Sequence, residues 1–208
     1  MRTITVQHNI YKYEELSDKA KEKAKEWYLE NQDPSILEDM INEDLAFLFG
    51  RDSDLHVQFS LGYCQGDGLN IYGKLPLNKF IECIENEIAG ELKEYKGYLT
   101  EEEKNTILDY IGYAPYIELP ENTRYCYCIA MYANWYAHLE DSEFYECVEE
   151  IDEELIDKFN TLVCKAMTDL CRHWEKAGYE FFYEVDEDAM EEMCEANEWE
   201  FYEDGTFY

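Results

Sequence analysis

The chain has 208 residues, of which 49 are Asp or Glu and 17 are Lys or Arg, giving a formal net charge of −32. With 46% hydrophobic and 16% aromatic residues it can bury a core, which separates it from disordered acidic tails. The charge argues against direct binding to a nucleic-acid backbone, because that binding rests on Lys and Arg neutralising phosphates.

The imbalance is uneven. Residues 1–100 carry 19 acidic and 11 basic side chains, and residues 101–208 carry 30 and 6. A small domain ordinarily carries a net charge of magnitude roughly 2–8. Repulsion on the larger scale opposes compaction, so packing must offset it and a function for the field is worth considering. No apolar leader follows Met1 and no stretch approaches membrane-spanning length, which predicts a cytoplasmic protein without a membrane partner. The eight cysteines lie in apolar or helical patterns, not at framework spacing, and read as reduced, buried thiols.

In chain order, Ile4 and Val6 alternate within Thr3 to Tyr13 and predict an edge strand. Ser17 is a good N-cap for a helix over 18–30, with Ala20, Ala24, Trp27 and Tyr28 inside. Lys19, Lys21, Lys23 and Lys25 are explained by pairing with Glu22, Glu26 and Glu30 nearby. Pro34 opens a second helix with a stripe of Ile36, Leu37, Met40, Ile41, Leu45 and Leu48, and Gly50 stops it.

Leu55, Val57, Phe59, Leu61 and Tyr63 then alternate with polar residues, as in a strand with one buried face. Gln65, Gly66, Asp67 and Gly68 supply a structural turn, together with Gly62, and Leu69 and Ile71 begin the returning strand. Phe80, Ile81, Ile84, Ile88 and Leu92 make a third helix ending at Gly97, and Thr100 with Glu103 forms a capping box for a fourth. Tyr116, Ile117 and Leu119 mark a strand, and 124–135 reads as part of a second hairpin.

After an acidic bridge at 140–154 comes the longest helix, from near Glu150 to about Lys176, with Gly178 ending or bending it. Tyr179 to Tyr183 is ambiguous between helix and strand. Asp186 caps a short acidic helix, Asn197 closes it, and Trp199, Phe201 and Tyr202 form a last strand before a turn at Glu203, Asp204 and Gly205. These elements predict one α+β domain over 1–208. A small antiparallel sheet is built on the central hairpin at about 55–75, with packed helices and a long acidic C-terminal helix. Its 1–139 part is sheet-centred and its 140–208 part acidic and helical.

Motifs with chemistry are absent. No Walker or dinucleotide-binding pattern exists, so no cofactor is expected. Cys126 and Cys128 have no second pair to complete a zinc site, and His8, His56, His138 and His173 fall outside known signatures, so neither a metal nor a catalytic residue is assigned. The C-terminal carboxylates are the strongest functional feature. Glu146, Glu149, Glu150, Asp152, Glu153, Glu154 and Asp157 cluster at the start of the long helix, where the helix dipole favours some of them. Glu187, Asp188, Glu191, Glu192 and Glu195 form a second cluster that the dipole does not explain. Carboxylates spaced on a rigid scaffold can imitate duplex phosphates and steer a basic, nucleic-acid-binding protein onto the surface. The plainer reading is a solvated face serving solubility.

Two stretches resemble a family of small, uncharacterised phage and prophage proteins. Phe59 to Gly68 contains its "GYCQGDG" hairpin, and Ala196 to Gly205 resembles its "aN-x-[YW]-x-F-x-E-D-G" ending. Asn122-Thr123-Arg124-Tyr125 matches less well, because the family has Gly-Arg-Tyr with a following His and here Cys126 and Tyr127 follow. The resemblance implies a phage accessory role in the host cytoplasm and assigns no catalytic residue. By analogy with anti-restriction and anti-CRISPR proteins, it implies an inhibitor of a host defence effector, a CRISPR nuclease or restriction complex. The alternatives are a small carboxylate-dependent hydrolase or modifying enzyme near Gln65–Asp67, and a structural or regulatory subunit. The oligomeric state is left open.

Overall fold

A computed structural model describes residues 1–4, 7–86, 90, 92–112, 114–121 and 152–208. The expected hairpin strand at 124–135, Ile88, and Glu146, Glu149 and Glu150 lie outside the described residues, as does the boundary placed at 139. The fold is α+β, with six α-helices and a three-stranded antiparallel sheet among the described residues. The chain groups into two compact units. One joins Met1–Pro34 to Gly178–Tyr208, and the other is Ser35–Ala177.

In the Ser35–Ala177 unit, the sheet is built on the expected hairpin. Strand β1 (Asp54–Ser60) pairs with β2 (Gly68–Pro76) in a register that sets Val57 opposite Ile71, and β2 pairs with β3 (Tyr116–Leu119). Leu55 and Val57 point inward as the alternation requires, while β2 is buried on both faces where Leu69, Asn70 and Ile71 follow one another. Asn70 is the polar member of that run, and its side chain donates to the Pro120 carbonyl at 3.2 Å, which satisfies one of its amide donors inside the core.

Helix α2 (Pro34–Phe49) buries Leu37, Ile41, Leu45 and Leu48. Ile36 and Met40, expected on the same stripe, remain about half exposed, because the buried seam is narrower than the apolar arc. Helix α3 (Leu77–Asn86) is shorter than its stripe predicts. Leu92 is buried from a separate 3-10 turn, Leu92–Tyr95, and Gly97 follows that turn at φ +75°. Helix α4 (Glu101–Ile111) starts with the predicted capping box: Glu103 N donates to Thr100 Oγ1 at 3.2 Å and Thr100 N donates to Glu103 Oε2 at 2.7 Å.

Helix α5 (Glu153–Tyr183) passes through Gly178 instead of ending there, and Tyr179 to Tyr183 is helical. One interior glycine costs only about 1 kcal/mol, which the buried stripe of Phe159, Leu162, Val163, Ala166, Met167 and Leu170 outweighs. Within this unit α5 is also held by polar contacts. Trp174 donates to Asp44 at 3.2 Å, Lys158 donates to Glu103 at 2.6 Å, and Tyr95 donates to Asp169 at 2.5 Å.

The other unit is organised by aromatic rings. Helix α1 (Asp18–Glu30) is capped by Ser17, whose hydroxyl accepts from Ala20 N, and helix α6 (Glu187–Ala196) by Asp186, which accepts from Ala189 N at 2.7 Å. Trp27 stacks on Phe207 with centroids 4.0 Å apart and meets Trp199 and Phe201 edge-on. The strands expected at both ends of the chain reduce to single bridges. Tyr11 and Phe201 exchange both backbone hydrogen bonds, and Phe201 bridges to Phe207. Val6, on which the expected strand partly rests, lies outside the described residues, and Ile4 and Ile10 are exposed. Gly205 (φ +84°) packs so tightly against α1 that a Cβ there would lie 2.1 Å from the Ala20 carbonyl oxygen.

Candidate protein-interaction surface

Helix α6 presents three faces. Met190 and Cys194 are buried, Ala189 and Met193 are half-buried, and Glu187, Asp188, Glu191, Glu192 and Glu195 are all exposed. At about 100° per residue, these five carboxylates occupy an arc of about 140° that begins beside the buried seam and runs away from it. Asp186 and Glu198 extend the exposed acidic run at either end.

One of the five is neutralised. Lys21 Nζ donates to Glu187 Oε1 at 2.7 Å, and that hydrogen bond holds the Glu187 carboxyl below the usual range. Reasoning from local spacing paired the α1 lysines with neighbouring glutamates. Instead, Lys21 reaches Glu187 and Lys23 reaches Asp204 at 2.6 Å, while only Lys25 uses a local partner, Glu22 at 3.4 Å. Among the described residues, no ion pair engages Asp188, Glu191, Glu192 or Glu195. At a rise of 1.5 Å per residue these four span about 10 Å, or one charge per roughly 3 Å. One strand of a duplex carries a phosphate about every 3.4 Å.

A cleft of about 550 Å³ opens beside this row, lined by Tyr13, Glu191, Cys194, Glu195, Glu198 and Trp199. Tyr13 is 2% exposed, and its hydroxyl has no hydrogen-bond partner among the described residues. Burial first, and Glu187 next, push its phenol up to about 12. Burial likewise raises the Cys194 thiol to about 11. It is an inert core thiol at neutral pH.

The cluster at the start of the long helix is described only from Asp152 onward. Asp152, Glu153, Glu154 and Asp157 are exposed at the start of α5, where Asp152 Oδ1 accepts from Glu154 N at 3.0 Å, a position favourable to carboxylates on helix-dipole grounds alone. Those four belong to the Ser35–Ala177 unit and the α6 residues to the other unit, so they do not form one patch within either unit.

The turn at Gln65–Asp67 has a structural explanation. Asp67 Oδ2 accepts from Gly62 N at 2.7 Å and Cys64 N at 2.8 Å, and Oδ1 accepts from Ser60 at 3.1 Å. Gly66 (φ +106°) and Gly68 (φ +154°) supply the backbone angles. The brace is therefore Asp67. Tyr63, expected to continue the buried face of the strand, is 70% exposed at φ +54°. Of the described cysteines, Cys64 is exposed while Cys83, Cys171 and Cys194 are buried. Among the described residues no group of three or more His, Cys, Asp or Glu side chains is placed to hold a metal, and no helix is long and apolar enough to cross a membrane. Comparison of the chain with protein-family models, with curated proteins and with solved structures returned no match.

Proposed function

We propose that the chain is a non-enzymatic binder of a basic, nucleic-acid-binding protein, engaged through the exposed carboxylates of α6. The observation that carries this reading is the row Asp188, Glu191, Glu192 and Glu195, exposed, in no ion pair among the described residues, and with an average axial rise per charge close to that of one nucleic-acid strand. A capped helix packed through Met190 and Cys194 holds these charges in place before binding, which lowers the ordering cost of the complex. The resemblance of the hairpin and tail to phage accessory proteins directs the proposal to a host defence effector, a CRISPR nuclease or restriction complex, whose nucleic-acid channel the row would occupy in the host cytoplasm.

The test is the fourfold variant Asp188→Lys, Glu191→Lys, Glu192→Lys and Glu195→Lys, compared with the unaltered chain for capture of proteins from host lysate. All four sites are exposed, so the fold, checked by circular dichroism, is expected to survive. Loss of a nucleic-acid-binding protein from the capture supports the proposal. Undiminished capture by the folded variant removes the α6 row as the contact.

A further inference from the structure

On its half-buried side, α6 forms one wall of a groove of about 740 Å³, with α1 opposite. Tyr28, Phe181, Val185 and Met193 lie on its floor, each only partly buried. Val185 precedes the Asp186 cap, and Ala189 and Met193 follow on α6 at four-residue spacing, which places them on one face of that helix. The rim is acidic on both sides: Glu22 and Glu26 from α1, Glu184 and Asp186 from the other wall, all exposed. Lys25, the one cation lining the groove among the described residues, is held by Glu22 at 3.4 Å. None of Asp188, Glu191, Glu192 and Glu195 lines it.

We propose that this groove receives a basic, amphipathic helical segment of a partner protein, its apolar side chains on Tyr28, Phe181, Val185 and Met193 and its Lys or Arg residues on the rim carboxylates. The proposal rests on the reading of the chain as a binder of basic proteins and adds a second contact, with a different recognition mode. An open seam between two helices is the shape that helix-in-groove recognition uses. Aromatic faces beside carboxylates add cation–π attraction for the segment's cations. The rim selects the occupant by charge. It repels an anionic membrane, and a second copy of a chain with net charge −32 has few free cations to offer, since Lys21 and Lys23 are already paired within their own chain.

Two synthetic fourteen-residue peptides of identical Leu and Lys composition test this on the full chain by fluorescence anisotropy. One has its leucines on a single helical face and the other is scrambled. The amphipathic peptide is expected to bind at least tenfold more tightly. Met193→Glu adds a negative charge but spoils the apolar floor, so attraction by charge alone predicts tighter binding and the groove predicts binding weakened tenfold or more. Tyr183→Ser, at an exposed position lining the groove, is the second variant should Met193→Glu melt early. Equal binding of the two peptides, binding of neither, or unchanged binding by the folded variants overturns the proposal. So does a concentration-dependent dimer that Met193→Glu dissolves. The fourfold α6 variant leaves the groove intact, so failure of the row and failure of the groove are separate results.

Discussion

Removing the Tyr13 hydroxyl should stabilise the protein. Tyr13 is 98% buried between neighbours that include Phe201, and its ring lies 5.2 Å below the Lys21 ammonium, but its hydroxyl has no partner among the described residues. Leaving such a group unsatisfied costs about 1–3 kcal/mol. Tyr13→Phe keeps the ring and its packing, so that penalty is relieved with little lost. For a chain of this size each kcal/mol corresponds to about 2–4 °C in Tm, and the expected rise is about 2–12 °C. The assay is thermal unfolding followed by tryptophan fluorescence, which Trp27 and Trp199 report from the same aromatic cluster. A second arm uses pH. Because the folded phenol is raised to about 12, the folded state keeps its proton above the ordinary value of about 10. Stability from this group is present below pH 10 and declines as pH rises from about 10 to 12, and Tyr13→Phe abolishes that decline. A variant less stable than the parent by more than about 1 kcal/mol would refute the reasoning, because it would mean the hydroxyl is satisfied.

Three further perturbations address other parts of the molecule. Asp67→Asn replaces a carboxylate that accepts from Gly62 N, Cys64 N and Ser60, and is expected to cost about 1–2 kcal/mol in urea unfolding; no loss would deny Asp67 its role as the brace. Gly205→Ala places a Cβ 2.1 Å from the Ala20 carbonyl oxygen at φ +84°, and should cost more than the roughly 1–2 kcal/mol of the left-handed conformation alone. A near-neutral melting shift would contradict that close approach. Hydrogen bonds from Lys158 first and the Thr100 backbone next hold Glu103 down at about 2. Its stabilisation is fully present above the ordinary carboxylate value of about 4.3 and lost as pH falls through about 2. The stability gap between the parent and Glu103→Gln should therefore close over that window in an acid titration, and a gap unchanged at pH 2 would exclude the coupling.

Local signals were legible where the chemistry is local. Ser17, Thr100 with Glu103, and Asp186 announced three helix starts, because a cap needs only residues within one turn. Alternation from Leu55 to Leu61 gave the hairpin and its inward face. The sequence misled where long-range contacts decided. Tyr11 and Phe201 resemble strand residues, but among the described residues they form isolated bridges, one at Tyr11 and two at Phe201. Gly178 resembles a helix stop, but the α5 stripe carries the helix past it. Of the acidic surface, the composition revealed the charge without its arrangement. The pairing of Lys21 with Glu187 spans 166 residues and singles out the four α6 carboxylates left in no ion pair. The groove needed two helices from opposite ends of the chain, and the four-residue spacing of Ala189 and Met193 was its local trace.

The most direct test of the central claim is competition. The protein recovered from host lysate by the unaltered chain is purified, and its affinity for the chain is measured with and without saturating duplex DNA or RNA, at about 50 and 200 mM salt. Mimicry predicts mutually exclusive binding and an affinity that falls about tenfold or more across that salt range, as expected when several carboxylates replace phosphates. Simultaneous binding of chain and nucleic acid, with affinity indifferent to salt, would contradict the account and leave the charge of α6 to solubility.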